Sequence, residues 1–147
     1  MDHTHFIHER IHHYYWNNNI NCATTILKIL AEVHGLKLQD QVIDGAVGLH
    51  GAGGFGAQCG LVEGALLFIG IWGNKQGLSA NITVRACRNY ADAFNQRFGS
   101  LVCKELRPEG FGSHNPPHLC EKLTQEAVEF AVGWIEKLKT EMPFDIV

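Results

Sequence analysis

The sequence predicts an all-α fold, a single-domain bundle of about five or six helices packed around a central apolar, glycine-rich helix. Three observations carry this expectation. Apolar residues recur at three- and four-residue steps in one segment after another. No stretch alternates strands with helices, as a parallel sheet would require. The run from about Ala57 to Trp72 is apolar on nearly all sides, which marks a helix buried at the centre instead of lying on a surface. With 147 residues the chain, read as one domain over 1–147, is long enough to bury a core without staples.

The elements follow in order. Phe6 to Trp16 places Phe6 or Ile7, Ile11, Tyr14 and Tyr15 at helical spacing, and Asn17-Asn18-Asn19 interrupts it. Asn21 suits the N-cap of a second helix whose Ile20, Ala23, Ile26, Leu27, Leu30 and Val33 share a face, and Gly35 ends it. Asp40 is expected to cap a short third helix that runs out among Gly45, Gly48 and Gly51. A glycine loop leads into the central helix. There Gly56, Gly60 and Gly64 recur every fourth residue and form one bare stripe for close backbone approach. Val84, Cys87, Ala91, Phe94 and Phe98 form the seam of a further helix ending at Gly99. Leu101 to Leu106 reads as a helical turn or a short extended piece. Arg107 to Pro117, with four prolines and glycines between Pro108 and Pro116, cannot be regular. Pro117 then suits the first turn of a last helix that buries Leu123, Ala127, Phe130, Ala131, Trp134 and Leu138.

Composition narrows the function classes. A net charge of −3 gives neither a basic footprint for nucleic acid nor an acidic tail. Apolar runs break well before the roughly 20 residues a bilayer span needs, and Met1-Asp2-His3-Thr4-His5 is not a leader of basic then apolar residues. A soluble cytoplasmic protein is expected, without membrane or nucleic-acid partners. The five cysteines are odd in number and spread along the chain, unlike a secreted disulfide framework.

Cys22, Cys59 and Cys120 fall near expected helix starts, and Cys103 falls in a connection. Unpaired N–H groups and the helix dipole at such positions lower a thiol's pKa. Cys87, mid-helix on an apolar seam, reads as a small core hydrophobe. Joint action of the other four has two versions: thiolates binding a soft metal centre, whether iron–sulfur, zinc or copper(I), or thiols cycling in pairs with disulfides. Without a Cys-x-x-Cys pair, spacing does not decide, and only the fold can bring the four together.

Other features carry less. Gly51-x-Gly53-x-x-Gly56 spells a dinucleotide loop but follows an expected helix, with no acidic residue about 20 positions later. Its glycines instead allow close approach to Cys59 and leave N–H groups for sulfur. Glu63, one turn after Cys59 on an apolar helix, is expected to be buried and therefore paired or protonated, through a structural hydrogen bond or as a redox-coupled proton acceptor. His8 with His12, and His114 with His118, stand at one-turn spacing but read as exposed histidines. Tyr14, Tyr15 and Trp16 read as a helix anchor or contact surface.

Asn21-Cys22-Ala23, the glycine loop, Cys59-Gly60-Leu61-Val62-Glu63-Gly64, Cys103 after Phe98-Gly99, and Cys120 together resemble a redox-active protein family named for four cysteines and a CGAxxG motif. The motif alanine is Leu61 here, and Cys87 has no place in the pattern. The resemblance implies redox activity, with Cys22, Cys59, Cys103 and Cys120 as the joint set and Gly60, Glu63 and Gly64 beside it. A related domain occurs in split-Soret cytochromes, where such cysteines are thought to hold an iron–sulfur centre. No Cys-x-x-Cys-His is present, so c-type haem is not expected. Three functions follow as expectations: electron transfer through an iron–sulfur cluster, most simply a two-iron one, to a redox partner protein; thiol–disulfide exchange led by Cys22 or Cys59; or a structural zinc or helical interaction protein. The glycine stripe and aromatic residues also suit a homodimer.

Overall fold

A computed structural model describes residues 2–107, 112 and 115–145, with side chains described as far as residue 141. The described residues are helical apart from connections and one isolated antiparallel bridge, Gln58 to Val102. The all-α expectation therefore holds.

Helix α1, Thr4–His12, continues into a π turn over His13–Asn17. The wider turn lets consecutive Tyr14 and Tyr15 both enter the core behind Ile7 and Ile11. Helix α2, Cys22–His34, begins where Asn21 Oδ1 accepts from Thr24 N at 2.7 Å, and ends at Gly35, whose φ of 67° is the left-handed cap. Arg10 and Tyr14 tie α1 to α2 through Glu32, with Arg10 Nε 2.9 Å from Glu32 Oε2 and the Tyr14 hydroxyl 2.5 Å from Oε1. Helix α3, Asp40–Gly45, is shorter than expected and starts after Gln39, so Asp40 is its first residue and not its cap. The glycine stretch is only partly a loop: α4, Gly51–Gly54, is one distorted turn with Ala52 at φ 57°.

Helix α5 spans Gly60–Lys75 with Cys59 at its N-cap, starting three residues after the expected Ala57. Gly56 therefore does not belong to the stripe. It lies before the helix at φ 96°, against the Lys104 side chain, and only Gly60 and Gly64 face a neighbouring backbone. That neighbour is α2, and the two pack more extensively than any other pair of elements. Centrality is thus shared: α2 is buried along Ala23 to Leu27 and Ile29 to Ala31 as α5 is along Leu61, Val62, Ala65, Phe68 and Ile69.

Helix α6, Ala80–Phe98, is capped by Ser79 Oγ accepting from Ile82 N at 3.2 Å and closed by Gly99 at φ 89°. Its fully buried line is Ala86, Tyr90 and Phe94; of the expected seam Phe94 is buried, Cys87 and Phe98 pack partly buried against the core, and Val84 is 65% exposed. Tyr90 pulls the register because its ring meets Trp134 edge-on at 5.3 Å. Helix α7, Cys103–Leu106, follows the Val102 bridge, so Leu101 to Leu106 contains both an extended piece and a turn. A 3₁₀ turn over Pro117–Cys120 precedes α8, Glu121–Asp145, which packs antiparallel to α1. Among the described residues no helix is long and apolar enough to cross a membrane.

Candidate functional site

Each of the four expected cysteines sits at an element boundary. Cys22 opens α2, Cys59 caps α5, Cys103 opens α7 and Cys120 closes the 3₁₀ turn before α8. All five cysteines of the chain are free thiols. Backbone pairing fixes two of the boundaries against each other: Cys59 N donates to Leu101 O at 2.8 Å and Cys103 N to Ala57 O at 2.6 Å. Glycine makes the other approaches possible. A β-carbon on Gly51 would stand 3.1 Å from Cys103 Cβ and 3.2 Å from its Sγ, and Gly51 holds φ 63°, which favours glycine. Beside Cys120, Thr124 Oγ1 donates to Cys120 O at 2.8 Å, so the buried Tyr15 hydroxyl, 2.7 Å away, donates to Thr124.

Cys22, Cys59, Cys103 and Cys120 all line one cavity of about 50 Å³, together with His50 and Arg107. The fold thus brings together four residues separated by up to 98 positions, from Cys22 to Cys120. Cys87 is not among the lining residues; it is half-buried on α6, with Sγ 4.0 Å from Leu66 O. Among the described residues, no group of three or more His, Cys, Asp or Glu side chains stands ready-made around a single ion position.

The expected low thiol pKa at Cys22 and Cys59 is not found. Burial pushes Cys59 up to about 12, against a smaller downward pull from the Leu61 N–H. Burial also pushes Cys22 well up, reinforced by the neighbouring Cys59, Cys120 and Cys103, and the Ala23 N–H opposes it weakly. Desolvation of the charged form outweighs the helix-terminus effect because these N-termini point into the core.

Gly60 and Gly64 act as spacers. A β-carbon on Gly60 would meet Cys22 Sγ, and one on Gly64 would stand 2.2 Å from Ala23 O. Glu63 departs from its expected burial: it is partly exposed, accepts a hydrogen bond from Gln58 Nε2, and does not line the cavity. The helix is apolar on nearly all sides, as expected, and Glu63 stands at its polar edge. Tyr14 and Tyr15 anchor α1, and Trp16 is 52% exposed and stacks on His118 at 3.9 Å. His114 lies outside the described residues. His8 and His12 pair with Glu129 at 3.3 Å and Glu121 at 3.2 Å, and His3 with Glu136 at 3.3 Å, so these histidines join α1 to α8.

Sequence reasoning missed His50 and Arg107, single residues in irregular segments with no motif around them. It recognised Asn21 as a cap but not as a tether. Asn21 Oδ1 accepts from a backbone N–H, which fixes the amide's orientation, and its Nδ2 donates to Val47 O at 2.8 Å and Ala46 O at 3.1 Å and lies 3.2 Å from His50 Nδ1. One side chain thereby holds the loop bearing His50 against the start of α2.

A helical scaffold gathering dispersed cysteines at one small cavity defines a class of cysteine-centred proteins. Within it, this chain belongs to the family described as "Putative redox-active protein (C_GCAxxG_C_C)", which matches residues 20–134. The six-residue core of that description is not spelled out here, where Cys59 is followed by Gly60 and Gly64 in the order Cys-Gly-Leu-Val-Glu-Gly. No curated protein and no solved structure matches the chain.

Proposed function

We propose that Cys22, Cys59, Cys103 and Cys120 act as one redox centre by holding an iron–sulfur cluster, most simply a two-iron one, for one-electron transfer to a partner protein. The observation that carries this reading is the cavity they share. At about 50 Å³ it is far below the roughly 300–1,000 Å³ of organic-ligand pockets, so it suits an inorganic group. The donors are four thiols, soft ligands that suit iron–sulfur clusters as well as zinc and copper(I). When bound, the cluster supplies a reversible one-electron couple. The chain's own residues present the thiols from four element boundaries, exclude bulk water around Cys59, which is 5% exposed, and place the Arg107 cation at the cavity wall. Uncompensated thiolates are costly in such a place, and a metal cation offsets that cost.

A second reading, thiol–disulfide exchange, is favoured by one observation: Cys22 and Cys120 also line a wider, open cleft. Anaerobic purification and reconstitution decide between the readings. Visible absorbance with stoichiometric iron and sulfide is expected, and its absence after reconstitution would overturn the cluster. A colourless protein that reversibly loses two or four thiols on mild oxidation supports exchange. Bound zinc without redox response supports a structural metal.

A further inference from the structure

The π turn over His13–Asn17 packs directly on the 3₁₀ turn that carries Cys120. Its consecutive residues Tyr15 and Trp16 reach that turn from two sides. From the buried side, the Tyr15 hydroxyl donates to Thr124 Oγ1 at 2.7 Å, and Thr124 donates in turn to Cys120 O at 2.8 Å. From the outer side, the Trp16 ring stacks on His118, with centroids 3.9 Å apart and planes 22° apart, and its Nε1 donates to Glu121 Oε1 at 2.8 Å. His12 Nδ1 stands 3.2 Å from the other oxygen of that carboxylate. Residues 118, 121 and 124, which surround Cys120 in the chain, are thus all engaged by two neighbouring rings.

We propose that the π turn is a clasp for the cysteine site, in which Tyr15 and Trp16 are positioning residues that hold Cys120 at the shared cavity. The 3₁₀ turn has poor hydrogen-bond geometry of its own, closing with Leu119 N on Pro116 O at 3.2 Å, so side-chain contacts decide where it sits. Trp16 is 52% exposed, yet its indole donor and one face are committed to the residues flanking Cys120. Burial pushes the Tyr15 phenol well above its usual range, with the nearby Cys22, Cys120 and Cys59 adding to the shift, so the hydroxyl stays protonated and remains a donor. The same turn leads to Cys22 through a short connection, in which Ile20 N donates to Tyr14 O at 3.2 Å. One element thereby sets two cysteines that are 98 positions apart. Single π turns recur at functional sites, where a widened turn re-aims its side chains.

Site-resolved iodoacetamide labelling of the full-length, iron-free protein, read by mass spectrometry, tests the clasp. Trp16→Ala and His118→Ala are each expected to speed modification of Cys120 at least fivefold, with unchanged helical circular dichroism. Tyr15→Phe, which keeps the buried ring and removes only the hydroxyl, should speed it at least threefold. His118→Phe keeps a ring against Trp16 and should stay within twofold of the parent protein. Cys87, on α6 and outside the cavity, should keep its rate in every variant. Cys120 matters here as a member of the joint site proposed above, but labelling needs no cluster: a chain that never assembles iron leaves this test intact, and a chain that does assemble it can still fail here. Less than fivefold at both alanine variants, equal acceleration at Cys87, or His118→Phe reacting as fast as His118→Ala would each overturn the clasp. Should the alanine variants not fold, an unchanged Cys120 rate in Tyr15→Phe overturns it as well.

Discussion

A β-carbon built on Gly60 would lie 2.3 Å from Cys22 Sγ and 2.9 Å from Ala23 N, so the start of α5 rests directly on the start of α2. The same helix pair meets again one turn later, where Gly64 faces Ala23 O and Ile26. Cys22 and Cys59 border one cavity because no side chain separates these two helix starts.

Gly60→Ala and Gly64→Ala are therefore expected to destabilise the fold by about 1–3 kcal/mol each through overpacking. Gly64→Ala should be the worse, since its β-carbon meets backbone at 2.2 Å. Gly70→Ala, on the same helix with nothing within 4 Å, should instead stabilise by about 0.5–1 kcal/mol through helix propensity. Thermal and urea denaturation of the three variants measures the contrast; equal effects at Gly60 and Gly70 would contradict the close approach.

Asn21→Asp separates capping from tethering. The carboxylate still accepts from Thr24 N, so α2 keeps its cap, but the donor to Ala46 O, Val47 O and His50 is lost. Stability is expected to fall by about 0.5–1.5 kcal/mol from the lost hydrogen bonds, since Ala46 O keeps its bond from Leu49 N at 3.1 Å. The contact of Asn21 with His50 Nδ1 should be lost, read from ring nitrogen shifts by NMR. Unchanged ring shifts would show that Asn21 does not orient His50.

His34 gives a pH dependence. Burial lowers its pKa from 6.5 to about 4, with the Lys139 cation adding to the shift. Lys139 Nζ lies 3.4 Å from Nδ1, and Nε2 is buried without a hydrogen-bond partner. The folded state holds this ring neutral, so the unfolded chain takes up the proton first. Stability from His34 is present above pH 6.5 and is lost as pH falls toward 4. Melting temperatures measured from pH 7.5 to 4 should fall across that window, with a shallower fall for His34→Met. Parallel curves would assign the acid sensitivity elsewhere.

Burial should also order the thiols by reactivity. Cys59, 5% exposed and with its thiol held protonated by desolvation, is expected to react last with iodoacetamide at pH 8. Mass spectrometry of partly alkylated native protein reads the order, and denaturant should abolish it. Early modification of Cys59 would mean that the cavity opens readily in solution.

Caps and apolar periodicity are local, so most of the helices and several of their ends were legible in the sequence: Asn21, Gly35 and Gly99 mark boundaries where they act. The sequence also supplied the four cysteines as a set, through their likeness to a family pattern. Only the tertiary structure decided which groups share a cavity, because His50 and Arg107 reach it from irregular segments. It also decided the thiols' ionisation and the position of Glu63. A helix start lowers a thiol's pKa when it faces water, but at Cys22 and Cys59 the helix starts face the core and desolvation prevails. Glu63 follows the same logic in reverse. Its one-turn spacing from Cys59 suggested the buried side, yet the three-residue shift in where α5 begins leaves it at a polar edge beside Gln58. Burial depends on what packs against a residue, and in this fold that partner can be distant in the chain, as Thr124 is from the buried Tyr15, 109 positions away.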